Sequence, residues 1–373
     1  MCVSPLRVRG FRLLLFTTVA VFSGVALLLS VVPLWVVHNN AGEFAAGGST
    51  AAFMASTVAA QFAVPRLVRA WGYRLVTASG AVLLGVPAPL LLITTDWPGI
   101  LAVSLLRGIG FGFVTVCGAA LVAELLPRTA LANGSGLYGL AVGLPQLIGL
   151  PAGTAAVEHW GFVPVFVAAG VIPLLGLAAI FGLPAVAATR HDDDLPAKGS
   201  LWRPWLVMLS GSIGYGALVT FLPLALTDTV AASTALFASA GAGLASRWVA
   251  GRLGTRIAAG LMLPWGLALT VLGMAGLAAS IQGESPWSAV AAVAVVGVGF
   301  GLIQNDSLVV MFAAAPVGRA SVAWNVAFDA GTGVGAVVVG AVVAGSSYPV
   351  AFGLLAVSAA VLLPVALTAR RAV

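Results

Sequence analysis

The chain has 373 residues, of which 61% are hydrophobic and only 8% charged, and its mean hydropathy is +1.10. A soluble domain carries about 25% charged residues, so this composition excludes a soluble enzyme and indicates a membrane protein with several spans. A net charge of +6 would suggest nucleic acid as the partner of a soluble protein, but here the basic residues cluster between apolar runs.

Apolar runs long enough to cross a bilayer follow one another along the chain. A transmembrane helix needs about 20 such residues. The first run follows three arginines, and it is longer than the apolar stretch of a signal peptide, so it is interpreted as helix 1. Twelve helices are predicted, near Phe11–Val37, Ala45–Leu67, Leu75–Ile93, Gly99–Leu125, Gly134–Ala156, Phe162–Ala185, Trp205–Leu226, Val230–Ala250, Ile257–Ser280, Trp287–Ala313, Val322–Gly345 and Val350–Thr368.

The basic residues alternate with the predicted helices. Sixteen of the 17 Lys and Arg residues are assigned to the termini or to even-numbered connections, and Arg247 is counted among them. The odd-numbered connections hold no Lys or Arg but carry acidic residues such as Glu43 and Asp96. The positive-inside rule therefore predicts a multi-pass protein of the plasma membrane with both termini in the cytoplasm.

A polar stretch at the midpoint divides the chain into two halves. The expected organisation is an N-terminal six-helix bundle at 1–187, a cytoplasmic loop at 188–201 and a C-terminal six-helix bundle at 202–373. An internal repeat supports this division, because Gly108-Ile-Gly-Phe-Gly-Phe113 recurs 189 residues later as Gly297-Val-Gly-Phe-Gly-Leu302. Two parallel halves with a site at their interface are a known transporter design.

These features resemble the major facilitator superfamily over essentially the whole chain. The family signature between helices 2 and 3, G-x-x-x-D-R/K-x-G-x-R, aligns with Pro65-Arg-Leu-Val-Arg69-Ala-Trp-Gly72-Tyr-Arg74, where Arg69 takes the Asp position and Pro65 the first Gly. In the second half, Gly251-Arg252-Leu-Gly254-Thr-Arg256 also lacks the Asp. The resemblance implies an all-α membrane fold of 12 helices in two pseudo-symmetric bundles. It also implies that these loops gate the cytoplasmic side, through Arg69, Gly72, Arg74, Arg252, Gly254 and Arg256.

Two further segments resemble family motifs. Arg107, followed by three alternating glycines, is similar to the helix 4 motif, in which an arginine lies within the membrane. Gly139-Leu-Ala-Val-Gly143-Leu-Pro145 resembles the antiporter motif of helix 5, with one residue inserted before Pro145. The spacing of Gly139 and Gly143 is also typical of close helix packing.

Three ionisable residues are placed well inside the predicted helices: Arg107, Asp306 and Asp329. Each costs about 2.5–3.5 kcal/mol at a helix centre, so a functional role is weighed against a structural ion pair or a hydrogen-bonded core residue. The two carboxylates are predicted at similar depth on helices 10 and 11, where neighbouring carboxylates favour sharing one proton. The polar residues expected to accompany them are Gln304, Asn305 and Asn325.

The leading functional hypothesis is a proton-coupled secondary transporter that exports small amphipathic or drug-like organic molecules by alternating access. The alternative is a proton-coupled importer of a small nutrient such as a sugar or organic acid. A non-transporting receptor or assembly factor is a third class, which a substrate-dependent flux would exclude. No nucleophile–base pair or metal-ligand spacing suggests an enzyme. The expected partners are a small-molecule substrate, protons and the lipid bilayer, without nucleic acid, cofactor or metal, and the chain is expected to act as a monomer.

Overall fold

The computed structural model describes residues 4–127, 130–185, 199–254 and 256–369, and this part of the chain is helical without any strand. Short 3-10 turns lie at Pro5–Arg7 and Ala88–Leu92. The α-helices are α1 Arg9–Leu29, α2 Val31–His38, α3 Gly42–Gly85, α4 Trp97–Leu125, α5 Leu131–Trp160, α6 Phe162–Phe181, α7 Trp202–Ala225, α8 Thr229–Leu253, α9 Leu263–Gln282, α10 Pro286–Ala314, α11 Val317–Gly345, α12 Tyr348–Val361 and α13 Leu363–Thr368.

Eleven segments of the described chain are long and apolar enough to cross a membrane. One of them, Gly42–Leu92, has 51 residues and covers both predicted helices 2 and 3. At about 1.5 Å per residue it is more than twice the thickness of a bilayer core. Its α-helical part is interrupted at Gly72, where φ is +78° and ψ is 162°, a backbone conformation that glycine adopts without strain. The predicted number of twelve helices is not confirmed.

The start of α9 differs from the prediction by six residues. The sequence pattern places it near Ile257, whereas the structure begins the helix at Leu263. The reason is a tertiary contact, since the backbone N–H groups of Gly260, Met262 and Leu263 donate hydrogen bonds to the carboxylate of Asp306. A side chain from α10 therefore caps α9 where the local sequence offers no cap of its own.

Contacts divide the described chain into two compact units. The first contains the residues up to 39 together with 52–185, and the second contains 40–51 together with the residues from 199 onward. In the first unit α1 packs against α5 and α6. In the second, α10 packs against α8 and α9, and α7 packs against α11. The predicted central loop at 188–201 lies mostly outside the described residues, and so do Arg128, Arg190, Lys198, Arg370 and Arg371 of the charge pattern.

Candidate functional site

Arg107 lies inside α4, ten residues after its start at Trp97, which is about 15 Å along the helix. The side chain is 4% exposed. Its Nε donates to the carbonyl of Leu84 at 3.3 Å, and one terminal nitrogen donates to the carbonyl of Gly24 at 3.4 Å. Its guanidinium carbon lies 5.7 Å from the ring centroid of Phe53. Among the described residues no carboxylate pairs with it, so Arg107 meets backbone oxygens from α1 and α3 and an aromatic face.

A glycine next to Arg107 allows α4 to approach α3 closely. A Cβ at Gly108 would lie 2.1 Å from the carbonyl oxygen of Phe53 and 2.1 Å from Oγ of Ser56. The hydroxyl of Thr57 donates to the carbonyl of Gly108 at 3.0 Å across the same contact. The glycine-rich helix therefore fixes the distance between the Phe53 ring and Arg107.

Asp306 lies on α10, eight residues before its end at Ala314, and is 3% exposed. One carboxylate oxygen accepts the N–H of Gly260 at 2.9 Å, and the other accepts those of Met262 at 2.8 Å and Leu263 at 3.2 Å. A carboxylate offers about four lone-pair sites, so most of its accepting capacity is used at the start of α9. Sequence reasoning found the residue but missed this contact, because nothing in the local sequence indicates the partner.

Asp329 lies on α11 and is 3% exposed. On the same helix the hydroxyl of Thr332 donates to the carbonyl of Phe328 at 2.8 Å, and the side-chain amide of Asn325 donates to the carbonyl of Ser321 at 2.9 Å. Because α11 begins at Val317, five residues earlier than predicted, Asp329 is twelve residues from the helix start. By the rise of about 1.5 Å per residue, it is about 18 Å from that end, whereas Asp306 is about 12 Å from the end of α10. The two carboxylates thus differ by about 6 Å in distance from their helix ends. Their similar depth stays a prediction.

Gln304 and Asn305 are both partly exposed, unlike Asp306 beside them. The oxygen of the Asn305 amide lies 3.7 Å from the position that a Cβ of Gly251 would occupy. This places Asn305 on the face of α10 that packs against α8. Of the polar residues predicted in helix 10, Asp306 thus faces the start of α9, and Asn305 faces α8.

The loops of the family signature are held in different ways in the two units. In the first unit the guanidinium of Arg74 donates to the carbonyl of Leu183, and Arg69 is exposed. In the second unit Arg252 lies 3.8 Å over the ring of Trp248 at the end of α8. The chain then turns through Gly254 and Arg256, whose N–H groups donate to Ala250 and Leu253 at 2.8 Å each.

The helix 5 segment packs differently from the expectation based on glycine spacing. A Cβ at Gly139 would meet no atom within 4 Å, so this residue does not mediate a close helix contact. Further along α5, a Cβ at Gly153 would lie 2.4 Å from the carbonyl oxygen of Leu27 on α1. Gly143 and Pro145 also lie within α5, where Pro145 is one of two internal prolines. The close approach to α1 therefore depends on a later turn of the helix.

Arg247 was assigned to a cytoplasmic connection from sequence, and the structure corrects this assignment. The residue lies inside α8, six residues before its end at Leu253, and is partly exposed. Its guanidinium carbon is 5.8 Å from the ring centroid of Trp324. Within the described part of the chain its guanidinium makes no hydrogen bond or ion pair. The signal that could have found it was the predicted helix 8 itself, since Val230–Ala250 already included Arg247.

A groove of about 670 Å³ lies between α9 and α12 of the second unit. Alanines and valines line most of it, with Gln282 and Ser347 at one end. None of the predicted site residues lines this groove, and its walls carry no ionisable side chain. It is separate from the charged residues described above.

Long apolar helices with buried ionisable side chains inside them define a polytopic α-helical membrane protein. The family model of the Major Facilitator Superfamily matches residues 14–323, and the chain belongs to that superfamily. Family membership indicates a transporter rather than an enzyme, as the sequence predicted. The drug/proton antiporter subtype stays a prediction.

A solved structure of similar fold is that of a bacterial homolog of the human lysosomal transporter Spinster, in an inward-facing and occupied conformation. The TM-score is 0.74, with 98% of this chain and 97% of that chain covered, and the sequences are 14% identical. At that identity the likeness concerns the fold. None of the curated proteins compared is a significant sequence match.

Proposed function

We propose that this protein is a proton-coupled secondary transporter that exports small amphipathic organic molecules by alternating access. The observation that carries the proposal is Asp329, a carboxylate that is 3% exposed and twelve residues into a membrane-spanning helix. An intramembrane carboxylate costs about 2.5–3.5 kcal/mol on insertion. A proton-coupled carrier needs a group within the membrane that binds and releases a proton, and a buried carboxylate can do this.

Asp329 is proposed to bind and release the transported proton, and Asp306 is proposed to position the start of α9. The three N–H groups that Asp306 accepts belong to the start of α9. If Asp306 had to release these donors whenever it changed protonation state, every transport cycle would leave buried N–H groups unsatisfied, at about 1–3 kcal/mol each. We therefore place proton exchange on Asp329 and the attachment of α9 on Asp306.

Arg107 is proposed to orient substrate in the first unit. A guanidinium has five N–H donors, and two of them are used by Gly24 and Leu84. The remaining donors support a contact with a polar or anionic group. Export is supported by the antiporter-like segment at Gly139, Gly143 and Pro145.

Orientation and cell location follow from the charge pattern. We propose a monomer in the plasma membrane with both termini in the cytoplasm, because basic residues gather in alternate connections. In this orientation the loops at Arg69–Arg74 and Arg252–Arg256 face the cytoplasm and close that side of the protein when the outer side opens.

The test is accumulation of a panel of lipophilic dyes and drugs in a host that lacks its main efflux pumps. Cells with the wild-type protein are compared with cells that express Asp329→Asn at the same membrane abundance. We expect lower accumulation in the wild type, with the difference lost in Asp329→Asn and after addition of an uncoupler.

A matched control removes a carboxylate elsewhere. Asp228 caps α8 by accepting the N–H of Ala231 at 3.0 Å, and asparagine caps a helix about as well as aspartate. Asp228→Asn should therefore keep wild-type accumulation. Equal accumulation with and without the protein for every compound would overturn export, and uptake of polar metabolites would then test the importer. Wild-type behaviour of Asp329→Asn would remove Asp329 from the coupling step.

A further inference from the structure

Arg247 is a charged side chain for which the proposed mechanism has no role. It lies about 9 Å from the end of α8, by six residues at about 1.5 Å each, and its guanidinium faces the ring of Trp324 at 5.8 Å. Its side chain forms no hydrogen bond or ion pair with the described residues. A guanidinium carries five N–H donors in a planar fork that matches carboxylate and phosphate groups. These donors are available to a ligand.

The position of Arg247 is fixed by close packing of α8 on α10. A Cβ at Gly301 would lie 2.0 Å from Oγ of Ser246, 2.2 Å from the carbonyl oxygen of Gly243 and 3.0 Å from the backbone nitrogen of Arg247. Only a residue without a side chain permits this approach. The backbone of Arg247 is thus held against α10, while its side chain extends toward α11.

The ring under Arg247 is also held in place. The Nε1–H of Trp324 donates to Oγ of Ser307 at 3.1 Å, which fixes the ring of α11 to α10. Because the ring of Trp324 and helix α8 are both held against α10, the distance between the guanidinium and the indole can vary little. A site that is ordered before its ligand binds loses less entropy on binding.

Aromatic rings continue from Trp324 within the second unit. Trp324 stacks on Phe328 with centroids 5.8 Å apart and planes at 19°. Phe328 lies 6.1 Å from Phe300, and Phe300 stacks on Tyr215 at 5.0 Å. We call these four residues the aromatic row. Phe300 is 7% exposed and belongs to the core, whereas Tyr215, Trp324 and Phe328 are partly exposed, so the row places a partly exposed apolar surface beside one cation.

A polar group completes the charged end of the row. Asn305 and Gly251 lie one helical turn beyond Gly301 and Arg247, respectively, on the contact between α10 and α8. The Asn305 amide is partly exposed and makes no hydrogen bond with the described residues. It supplies a neutral donor one helical turn along α10 from the contact of Gly301 with Arg247, whereas the three N–H groups bound to Asp306 are already used.

We propose that Arg247 binds a carboxylate or phosphate group on the face of Trp324, with the apolar body of the same molecule lying along the aromatic row. The role of this site in transport rests on the proposed function. If that function holds, the site narrows the substrate class to amphipathic organic anions. An anionic lipid headgroup presents the same chemistry as a soluble organic anion, so the experiment must separate these two sources.

The test measures binding rather than transport, so that it stands independently of the proposed function. Purified protein in nanodiscs of phosphatidylcholine alone is titrated by calorimetry with 2-naphthoate and with 2-naphthamide, which share one ring system and differ in charge. We expect the wild type to bind the carboxylate at least about tenfold more tightly than the amide. Arg247→Gln should reduce this preference to near unity.

Two further variants keep the result interpretable. Arg247→Lys retains the positive charge and should retain part of the preference, which shows that a loss in Arg247→Gln is not misfolding. Arg319→Gln removes an exposed arginine near the start of α11 and should leave the preference unchanged.

Each outcome decides the proposal. Equal binding of the two compounds by the wild type, no binding of either up to about 1 mM, or a preference that survives Arg247→Gln would overturn it. A preference that is present in phosphatidylcholine but disappears when phosphatidylglycerol is included would keep the anion site and assign it to a lipid headgroup, which overturns the substrate role. If binding behaves as expected while no compound of the cellular panel is exported, only the proposed transport function fails.

Discussion

Arg107 and Arg247 both lie inside membrane-spanning helices, one in each compact unit, but their surroundings differ. Arg107 is enclosed, with hydrogen bonds to carbonyls of two other helical segments and a phenylalanine ring beside it. Arg247 is partly exposed, and its guanidinium lies over the face of Trp324 without a hydrogen bond to the described residues. The comparison teaches that the role of an arginine in a membrane helix depends on which groups its N–H donors already bind, rather than on its depth in the helix.

Asp306 belongs with Arg107 in this comparison. Both of its oxygens accept backbone N–H groups, and the contact determines where α9 begins. Asp306 and Arg107 thus hold neighbouring helices, Arg107 with two of its five donors, whereas the guanidinium of Arg247 makes no hydrogen bond with the described residues. The predictions below test whether Asp306 and the close helix contacts affect the fold, and whether the two arginines affect transport and ligand binding.

The largest effect is expected for Asp306→Ala. The substitution leaves the N–H groups of Gly260, Met262 and Leu263 without their acceptor, at about 1–3 kcal/mol for each buried group. We expect the free energy of unfolding to fall by about 3 kcal/mol or more, with a lower denaturation midpoint in detergent. Hydrogen exchange should rise selectively at the start of α9. An unchanged midpoint would show that Asp306 does not hold this helix.

Gly301→Ala should have the second-largest effect on the free energy of unfolding. The added Cβ would overlap Oγ of Ser246 and the carbonyl oxygen of Gly243, so α8 must move away from α10. Overpacking of this kind costs about 1–3 kcal/mol, and the displaced Arg247 should bind 2-naphthoate less tightly. Gly353→Ala is the matched control, because a Cβ there meets nothing within 4 Å. Similar denaturation midpoints for the two variants would contradict the packing argument.

Arg107→Lys should impair transport although the substitution keeps the positive charge. An ammonium is a point charge that cannot reproduce the planar fork between the carbonyls of Gly24 and Leu84. We expect export in the cellular assay to fall by about tenfold, a barrier increase of about 1.4 kcal/mol, at unchanged membrane abundance. Export at the wild-type rate would place Arg107 outside the transport cycle.

Arg247→Lys should have the smallest effect. A lysine keeps the positive charge but loses the planar fork and the stacking on Trp324, and cation–π contacts contribute about 0.5–1 kcal/mol. Affinity for 2-naphthoate should fall about two- to fivefold. The denaturation midpoint should stay near that of the wild type, because the guanidinium makes no hydrogen bond with the described residues. A loss of folding in this variant would show that Arg247 is a structural residue rather than part of a binding site.

The lengths of the apolar runs and the alternation of charge predicted the helical membrane fold, because helix length and loop charge are local properties of the sequence, and the resemblance of the motifs predicted the family. Boundaries that depend on tertiary contacts could not be predicted in this way. The start of α9 is set by Asp306, which lies 43 residues beyond Leu263 in the chain. The backbone at Gly72 is not helical, so α3 is interrupted between the two helices that the sequence predicts there.

The candidate site was predicted in part. Arg107, Asp306 and Asp329 were found because a charge within an apolar run is conspicuous in a sequence. Arg247 was overlooked because it precedes Arg252 and Arg256 closely enough to be counted with their loop. Which donors and acceptors are already engaged depends on neighbouring helices, so the capping contact of Asp306 and the difference between Arg107 and Arg247 could not be predicted from sequence.

The most direct test of proton-coupled export uses everted vesicles whose interior has been acidified. Addition of 2-naphthoate or a dye exported in the cellular assay should dissipate the pH gradient in vesicles with the wild-type protein, because each substrate molecule taken up is exchanged for protons. Vesicles with Asp329→Asn and vesicles without the protein should keep the gradient. A gradient that no compound disturbs, or that falls equally with Asp329→Asn, would contradict the account.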